Sequence, residues 1–298
     1  MDLSNILLDM PAQKKKQVKK VIDTLKIGGR SDSTILNYVC AINRFLKYSK
    51  NKDISKFNED DILEYMKLYY LNKNRSSYSY NMNISAIKYF FIVNYRKTLS
   101  NQLLPHAKTT RKIPLTIDKD LFITILNEEP NLKHKCWLLL GYCSGLRVEE
   151  ISEVKIKDIN SKEHRLKVLG KRNKERYTLL PDITIKYLRL YYKYYYKKNY
   201  CYLKNEKEFL FKGLNSNEHM NSRTISNYFW TINKKYNLNK KITFHTLRHS
   251  FATNFIKAGG DPFVLKSMMG HTSMSTTAIY VHMGRDFNNL KGVNYDGI

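Results

Sequence analysis

Residues 144–180 read SGLRVEEISEVKIKDINSKEHRLKVLGKRNKERYTLL, and this stretch decides the fold. Helical periodicity precedes and follows it, whereas inside it three short strand-like runs are separated by polar residues: 154–159, 165–168 and 177–180. A basic segment at residues 170–176, GKRNKER, would form the turn between the second and third runs. The pattern therefore predicts a mainly helical protein that contains one small antiparallel β-sheet.

The residues on either side of this stretch predict helices and one extended connection. A polar cluster at residues 31–33 precedes apolar residues at helical spacing, from Ile35 to Leu46, as expected of a capped helix. Further helical patterns cover residues 59–71, 78–94, 119–127, 132–144 and 183–202. Residues 104–118, LPHAKTTRKIPLTID, contain two prolines and no periodicity, which indicates a linker. We therefore expect a helical domain over residues 1–104, a basic linker over 105–117 and a second domain over 118–298.

The charge of the chain points to a polyanionic partner. Its 298 residues include 52 Lys and Arg against 26 Asp and Glu, a formal net charge of +26. Basic residues occur in nearly every segment from Lys14 to Lys291 rather than on one amphipathic helix, which favours nucleic acid over a membrane surface. Excess charge that serves only solubility is the alternative. No run approaches the roughly 20 apolar residues of a membrane span, so we expect no membrane partner.

Two further patterns concern the compartment and the thiols. The chain begins with acidic residues before lysines, the reverse of a secretory signal, and this order predicts a cytoplasmic protein. The four cysteines lack CxxC spacing or a nearby histidine pair: Cys40, Cys136, Cys143 and Cys201. We therefore expect buried free thiols rather than a disulfide framework or a zinc site.

Two basic motifs are candidates for chemistry. SGLRVEE places Arg147 and Glu150 three residues apart, and HTLRHS does the same for His245 and Arg248. On a helix, each pair would project from one face. Farther along the chain lie two more candidates, His271 and Tyr280. Taken singly, such residues are most often surface ion-pair partners or structural side chains. A pocket that combined them would have too few carboxylates for Mg²⁺ but could hold a phosphate.

These motifs resemble those of the tyrosine recombinases, also called phage-type integrases, and are most similar to their compact Xer-like members. SGLRVEE matches the family's SGLRxxE motif, GKRNKER its GKGxKxR strand turn, and HTLRHS its His-x-x-Arg box. In the turn, Arg172 stands where the family commonly has a second glycine. The resemblance covers about residues 116–283. It implies a helical core-binding domain followed by a mixed α/β catalytic domain of the tyrosine recombinase type.

The resemblance also implies a role for each matched residue. Tyr280 would attack a DNA phosphodiester and form a 3′-phosphotyrosyl bond, leaving a free 5′ hydroxyl. Three side chains would hold the phosphate: Arg147, Arg248 and His271. His245 would assist proton removal from Tyr280, and Lys171 would protonate the departing oxygen, with Lys174 as the alternative. Glu150 would be the accessory acid that orients a basic neighbour. This chemistry requires no metal and no other cofactor.

The implied partner is double-stranded DNA, and the implied assembly is a homotetramer on two DNA sites, associated with the nucleoid. Basic residues of the linker and the strand turn are the candidate DNA contacts: Lys108, Arg111, Lys112, Arg172, Lys174 and Arg176. Two alternatives are a type IB topoisomerase, which shares the phosphotyrosine chemistry, and a DNA-binding protein of this fold without catalysis. Tyr295 is the nearby rival to Tyr280. Integration, excision, inversion and dimer resolution stay open as outcomes, as does cleavage in cis or in trans.

Overall fold

The computed structural model describes residues 3–50, 52–70, 75–109, 113–170, 174–196, 208–213, 218–270 and 273–285. The chain forms two compact units, Met1–Arg111 and Lys112–Ile298. The boundary falls inside the segment predicted as a linker. Across the described ranges, no helix combines the length and the apolar character that crossing a bilayer demands.

The first unit is helical around one apolar core. Its helices are α1 (Leu3–Leu8), α2 (Ala12–Ile27), α3 (Asp32–Tyr48), α4 (Glu59–Tyr70) and α5 (Ser77–Tyr95), with a 3-10 turn at Ile54–Lys56. The Ser31 side chain accepts a hydrogen bond from the Thr34 amide and so caps α3, as the polar cluster predicts. The helical spacing of Ile35 and Ile42 puts both in the core, where they are fully buried.

The second unit combines helices with a small sheet. Its helices are α6 (Lys119–Glu128), α7 (Leu132–Tyr142), α8 (Val148–Ser152), α9 (Asp182–Tyr196), α10 (Ser222–Lys235), α11 (Phe244–Lys257), α12 (Pro262–Met269) and α13 (Met274–Arg285). The strands are β1 (Ile159–Asn160), β2 (Arg165–Leu169) and β3 (Glu175–Leu179). They pair antiparallel in the order β1-β2-β3. The predicted fold class, mainly helical with a small antiparallel sheet, is confirmed.

The first predicted strand is only partly formed. Residues 154–159 were expected to be extended, but Ile156–Asp158 form a 3-10 turn and β1 begins at Ile159. The preceding backbone pairs elsewhere, because the Ile156 amide donates to the Glu208 carbonyl and the Leu210 amide donates to the Val154 carbonyl. The Ile156 amide and the Val154 carbonyl thus have their hydrogen-bond partners outside the three-stranded sheet.

The turn that follows α7 is packed against the core of the second unit. Residues Cys136–Tyr142 are all buried, and the Tyr142 ring stacks on Phe122 with 3.8 Å between ring centroids. After α7 the chain turns at Gly145, whose φ is +66° and where a Cβ atom would lie 2.4 Å from the Phe251 ring. Glycine is required there, because an L side chain would be strained and would overlap the ring. This turn delivers residue 147 to the start of α8.

A smaller apolar cluster joins the last three helices. It is formed by Phe251, Ala252, Leu265, Met268, Met269 and Tyr280. These residues come from α11, α12 and α13, so hydrophobic burial holds the helix that carries Tyr280 against the helix that carries the His-x-x-Arg box.

The thiols that the structure describes are free, as predicted. Cys136 and Cys143 are buried and Cys40 is half-buried. Burial raises the pKa of the Cys136 thiol, and it raises the pKa of Cys143 to about 12, so both stay protonated at neutral pH. Cys201 lies outside the described residues.

Candidate active site

One buried carboxylate, Glu150, lies among three arginines. Its Oε1 accepts hydrogen bonds from Arg147 Nη1 and Arg176 Nη1, both at 2.8 Å. Its Oε2 accepts from Arg176 Nη2 at 2.7 Å and lies 3.8 Å from Arg248 Nη1. Burial alone would raise the pKa of Glu150, but the hydrogen bonds and charge of Arg176, with help from Arg147 and Arg248, lower it to about 2. Glu150 is therefore ionised, and it gathers the guanidinium groups at one point.

Arg248 is the most deeply buried of these arginines, with 1% of its residue surface exposed. Its guanidinium donates hydrogen bonds to the Gly145 carbonyl and the Met269 carbonyl, which lie at the turn after α7 and at the end of α12. Burial, followed by repulsion from Arg147, lowers the pKa of Arg248 to about 9 against the attraction of Glu150. The group keeps its charge at neutral pH and is held in one orientation.

Arg147 is partly exposed, unlike Glu150, the residue with which the sequence predicts it to pair. It is the N-cap residue of α8, and its own amide donates to Glu150 Oε2 at 2.8 Å. Its side chain is 29% exposed, whereas that of Glu150 is 6% exposed. The predicted pairing of these two residues at a spacing of three is present. Arg147 can therefore reach a ligand while Glu150 orients it from behind.

Arg176, which the sequence predicts as a DNA contact, is buried in the structure. Besides its two bonds to Glu150, its Nε donates to the Met268 carbonyl at 2.7 Å. A Cβ atom on Gly270 would lie 3.1 Å from the Arg176 side chain, so Gly270 leaves room for it. Arg176 thus joins β3, α8 and the end of α12 within the protein.

The nucleophile candidate contacts His249, whose position beside a matched residue of the motif indicates a structural or phosphate-adjacent role rather than a catalytic one. His249 Nδ1 lies 2.6 Å from Tyr280 Oη, and only 3% of Tyr280 is exposed. His245, which was expected to take the tyrosine proton, is exposed and lies one helical turn before His249. The two imidazole rings meet edge to face with 4.6 Å between centroids. The signal that could have identified His249 is its spacing of four from His245, which places both on one face of α11.

Burial keeps both members of this pair neutral. Burial, followed by the neighbouring His245 and Arg248, lowers the pKa of His249 to about 4. Burial raises the pKa of Tyr280, although Arg248 and Arg147 act in the opposite direction. At pH 7 the imidazole is therefore unprotonated and the phenol is intact. A neutral imidazole can accept the phenolic proton.

The other predicted residues are surface groups or fall outside the described part of the chain. Lys108 and Lys174 are exposed. The Gly170 amide donates to the Lys174 carbonyl at 2.8 Å and closes the base of the β2–β3 turn. The remaining predictions lie outside the described residues: Lys171, Arg172, His271, Arg111 and Lys112.

The arrangement is suited to an anion. Arg147 and Arg248 bring planar, charged donors to one point beside a phenol, and such donors match the oxygens of a phosphate. Among the residues that the structure describes, no group of three or more His, Cys, Asp or Glu side chains is arranged to hold a metal ion.

Comparison with known families agrees with the motifs. The sequence matches the family described as "Phage integrase family" over residues 117–285, and "Phage integrase, N-terminal SAM-like domain" over residues 18–103. The chain belongs to the phage integrase family. Two relatives are similar over most of the chain, and the second, a XerD protein, confirms the Xer-like resemblance. A tyrosine recombinase of Thermosipho africanus is 31% identical over 268 residues, covering 85% of this chain and 89% of that protein. Tyrosine recombinase XerD of Oceanobacillus iheyensis is 32% identical over 273 residues, covering 86% of this chain and 89% of its own.

A solved structure shows the same fold for this phage integrase family member. The XerH site-specific recombinase, crystallised with its palindromic difH substrate in a post-cleavage complex, superposes with a TM-score of 0.70. It is 18% identical, and the match covers 85% of this chain and 77% of that chain. The protein is thus a tyrosine recombinase, an enzyme that breaks and rejoins DNA at specific sites.

The low pKa of His249 predicts how acid changes the stability of this recombinase. As the pH falls from 6.5, the ordinary pKa, toward 4, the unfolded chain takes up the His249 proton before the folded protein does. The contribution of this group to stability is complete above pH 6.5 and is lost across that window. We expect His249→Asn to lose less stability than the wild type between pH 7 and pH 4. Urea unfolding at each pH measures this, and parallel curves for the two proteins would contradict it.

Proposed function

We propose that this recombinase cuts a DNA strand by attack of Tyr280 on a phosphodiester held by Arg147 and Arg248. The observation that carries the proposal is the arrangement in the second unit, where Glu150 gathers both guanidinium groups and both act electrostatically on the Tyr280 phenol. The bond between Tyr280 Oη and phosphorus forms as the bond from phosphorus to the 5′ oxygen breaks. The products are a 3′-phosphotyrosyl link and a free 5′ hydroxyl, and attack by another strand's 5′ hydroxyl reverses the step.

The two arginines would stabilise the charge that gathers on the phosphate oxygens in the transition state. Arg248 is held by two backbone carbonyls and Arg147 by Glu150, so neither group must be ordered when the DNA arrives. Preorganised donors of this kind typically contribute about 10²–10³ in rate each. Lysine would be a poorer substitute, because it lacks the planar fork that matches two oxygens.

The departing 5′ oxygen also needs a proton. By the family resemblance, Lys171 supplies it, with Lys174 as the alternative, and His271 hydrogen-bonds the phosphate. The exposure of Lys174 beside the closed base of the turn is compatible with either assignment. The protons balance, since the phenol loses one to a base and the alkoxide gains one from the lysine.

Double-stranded DNA is the substrate and partner that we propose, and a tetramer on two DNA sites is the proposed assembly. The net charge of +26 and the exposed Lys108 and Lys174 support the first part. The XerH relative, solved with its difH substrate, supports it as well. We place the protein in the cytoplasm, associated with the nucleoid, where such a substrate lies. Nothing in the comparisons favours the two alternatives, relaxation by a type IB topoisomerase or DNA binding without catalysis.

The test is covalent capture followed by identification of the linked residue. DNA protected by the protein is first mapped to define a site, and a duplex of that site is then nicked close to the cleaved bond on its 3′ side. The short fragment with the free 5′ hydroxyl diffuses away, so the enzyme stays attached. Trypsin cuts after Lys and Arg, so it releases Tyr280 in Ser267–Arg285 and the rival Tyr295 in Gly292–Ile298. We expect the nucleotide on the first peptide, and its absence from both would refute the proposed function.

A further inference from the structure

The closest described contact of the Tyr280 hydroxyl with an imidazole is to His249, the second histidine of HTLRHS. The distance of 2.6 Å between Nδ1 and Oη is that of a strong hydrogen bond, and the rings are tilted by 40° with centroids 5.9 Å apart. His249 is half-buried, whereas His245 is exposed at the start of α11. Of the two histidines, His249 is thus the one that faces the helix carrying the nucleophile.

We propose that His249 is the base that accepts the Tyr280 proton during cleavage, in place of His245. The proposal rests on the proposed function, because it concerns the attack by Tyr280. In the step, the O–H bond of the phenol breaks and an N–H bond forms at His249 Nδ1. The electron pair left on the oxygen forms the bond to phosphorus. On rejoining, the proton returns from Nδ1 to the phenol as that bond breaks.

The surroundings of His249 suit this role. An imidazole can accept a proton only when it is neutral, and the charged and titratable neighbours that act on it are His245, Arg248 and Tyr280. Burial, together with the positive charge of Arg248, keeps Nδ1 unprotonated before the DNA is bound. The incoming phosphate brings negative charge to Arg147 and Arg248. This charge lowers the free-energy cost of forming the imidazolium of His249 during the step. His245, exposed at the start of α11, is left to contact the phosphate or the DNA.

The test compares His249→Asn with the matched variant His245→Asn in single-turnover cleavage of the nicked substrate. The amide oxygen of Asn can still accept a hydrogen bond from the phenol but cannot take its proton. We expect His249→Asn to cleave at least about 100-fold more slowly than the wild type, the usual contribution of a general base. Its rate should rise about tenfold per pH unit between pH 7 and pH 9, because hydroxide then generates the phenolate, while the wild-type rate stays flat.

A second substrate separates proton removal from proton donation. Sulfur in place of the bridging 5′ oxygen leaves as a thiolate, which needs no proton donor. It should therefore restore cleavage by Lys171→Ala and leave the defect of His249→Asn unchanged. A purely positional role would instead give a His249→Asn protein with the pH profile of the wild type.

The outcomes are distinct. If the wild type forms the Tyr280-linked complex and His249→Asn matches its rate while His245→Asn is slow, the proton goes to His245 and this proposal is wrong. If the wild type forms no such complex, it is the proposed function that fails. Should His249→Asn not fold, as shown by urea unfolding, His249→Gln offers the same comparison with a longer amide.

Discussion

Tyr280→Phe is expected to bind DNA with unchanged affinity and to form no covalent complex at any time point. The substitution removes only Oη, and the phenyl ring keeps its place in the apolar cluster with Phe251, Leu265 and Met269. Loss of the hydrogen bond to His249 costs folding about 1 kcal/mol. The cost to cleavage is complete, because the proposed reaction needs a side-chain oxygen at that position.

Single-turnover assays with the nicked duplex, resolved on denaturing gels, measure this loss. The matched control is Tyr295→Phe, which alters the other tyrosine near the carboxyl terminus and should leave the covalent complex at wild-type levels. Filter binding or band shift at several salt concentrations reports affinity separately from chemistry. A covalent complex formed by Tyr280→Phe but absent from Tyr295→Phe would assign the nucleophile to Tyr295.

Glu150→Gln is expected to destabilise the second unit by about 3–5 kcal/mol, because it leaves buried guanidinium groups without their counter-charge. The side chains of Arg176 and Arg248 are 8% and 1% exposed, so water cannot replace the lost carboxylate. Glutamine keeps the shape of the side chain but offers one acceptor oxygen where Glu150 uses two. Cleavage should fall as well, since Arg147 would lose the partner that orients it.

Urea unfolding measures the stability change, and Glu149→Gln is the matched control. Glu149 precedes Glu150 on the same short helix but is exposed, so its substitution should change stability by less than about 0.5 kcal/mol. The pKa of about 2 also fixes the pH window: the advantage of Glu150 over Gln is complete above pH 4.5 and is lost as the pH falls toward 2. Equal effects of the two substitutions at pH 7 would mean that Glu150 does not hold the arginines together.

Several elements could be predicted because they depend on neighbours along the chain. The cap at Ser31, the helical face of α3 and the β2–β3 hairpin each follow from residues of one short, continuous segment of the chain. The pairing of Arg147 with Glu150 is of the same kind, because one turn of helix sets their distance. The prediction of a strand over residues 154–159 was partly wrong because this segment depends on residues far away along the chain. Its backbone partners, Glu208 and Leu210, lie some fifty residues downstream, and nothing in the strand-like pattern shows this.

The candidate site was likewise predictable only in part from the sequence. The residue types that suit a phosphate and a tyrosine nucleophile are visible in the motifs, and the family could be recognised from them. A basic turn, however, predicts exposed arginines, whereas Arg176 is buried and donates hydrogen bonds to the carboxylate of Glu150, 26 positions earlier. Spacing on α11 places two histidines on one face, but which of them meets Tyr280 depends on how α13 packs, 31 positions away.

The order of residues alone thus established the helices, the small sheet, the positive charge and the set of side chains available for chemistry. It could not establish which of those side chains are buried together. Arg248 reaches a carbonyl 103 positions away, and such contacts arise only when apolar helices close around them and exclude water. Exclusion of water is also what separates the pKa of Glu150 and of His249 from their ordinary values, because charges act strongly on one another only where little solvent screens them.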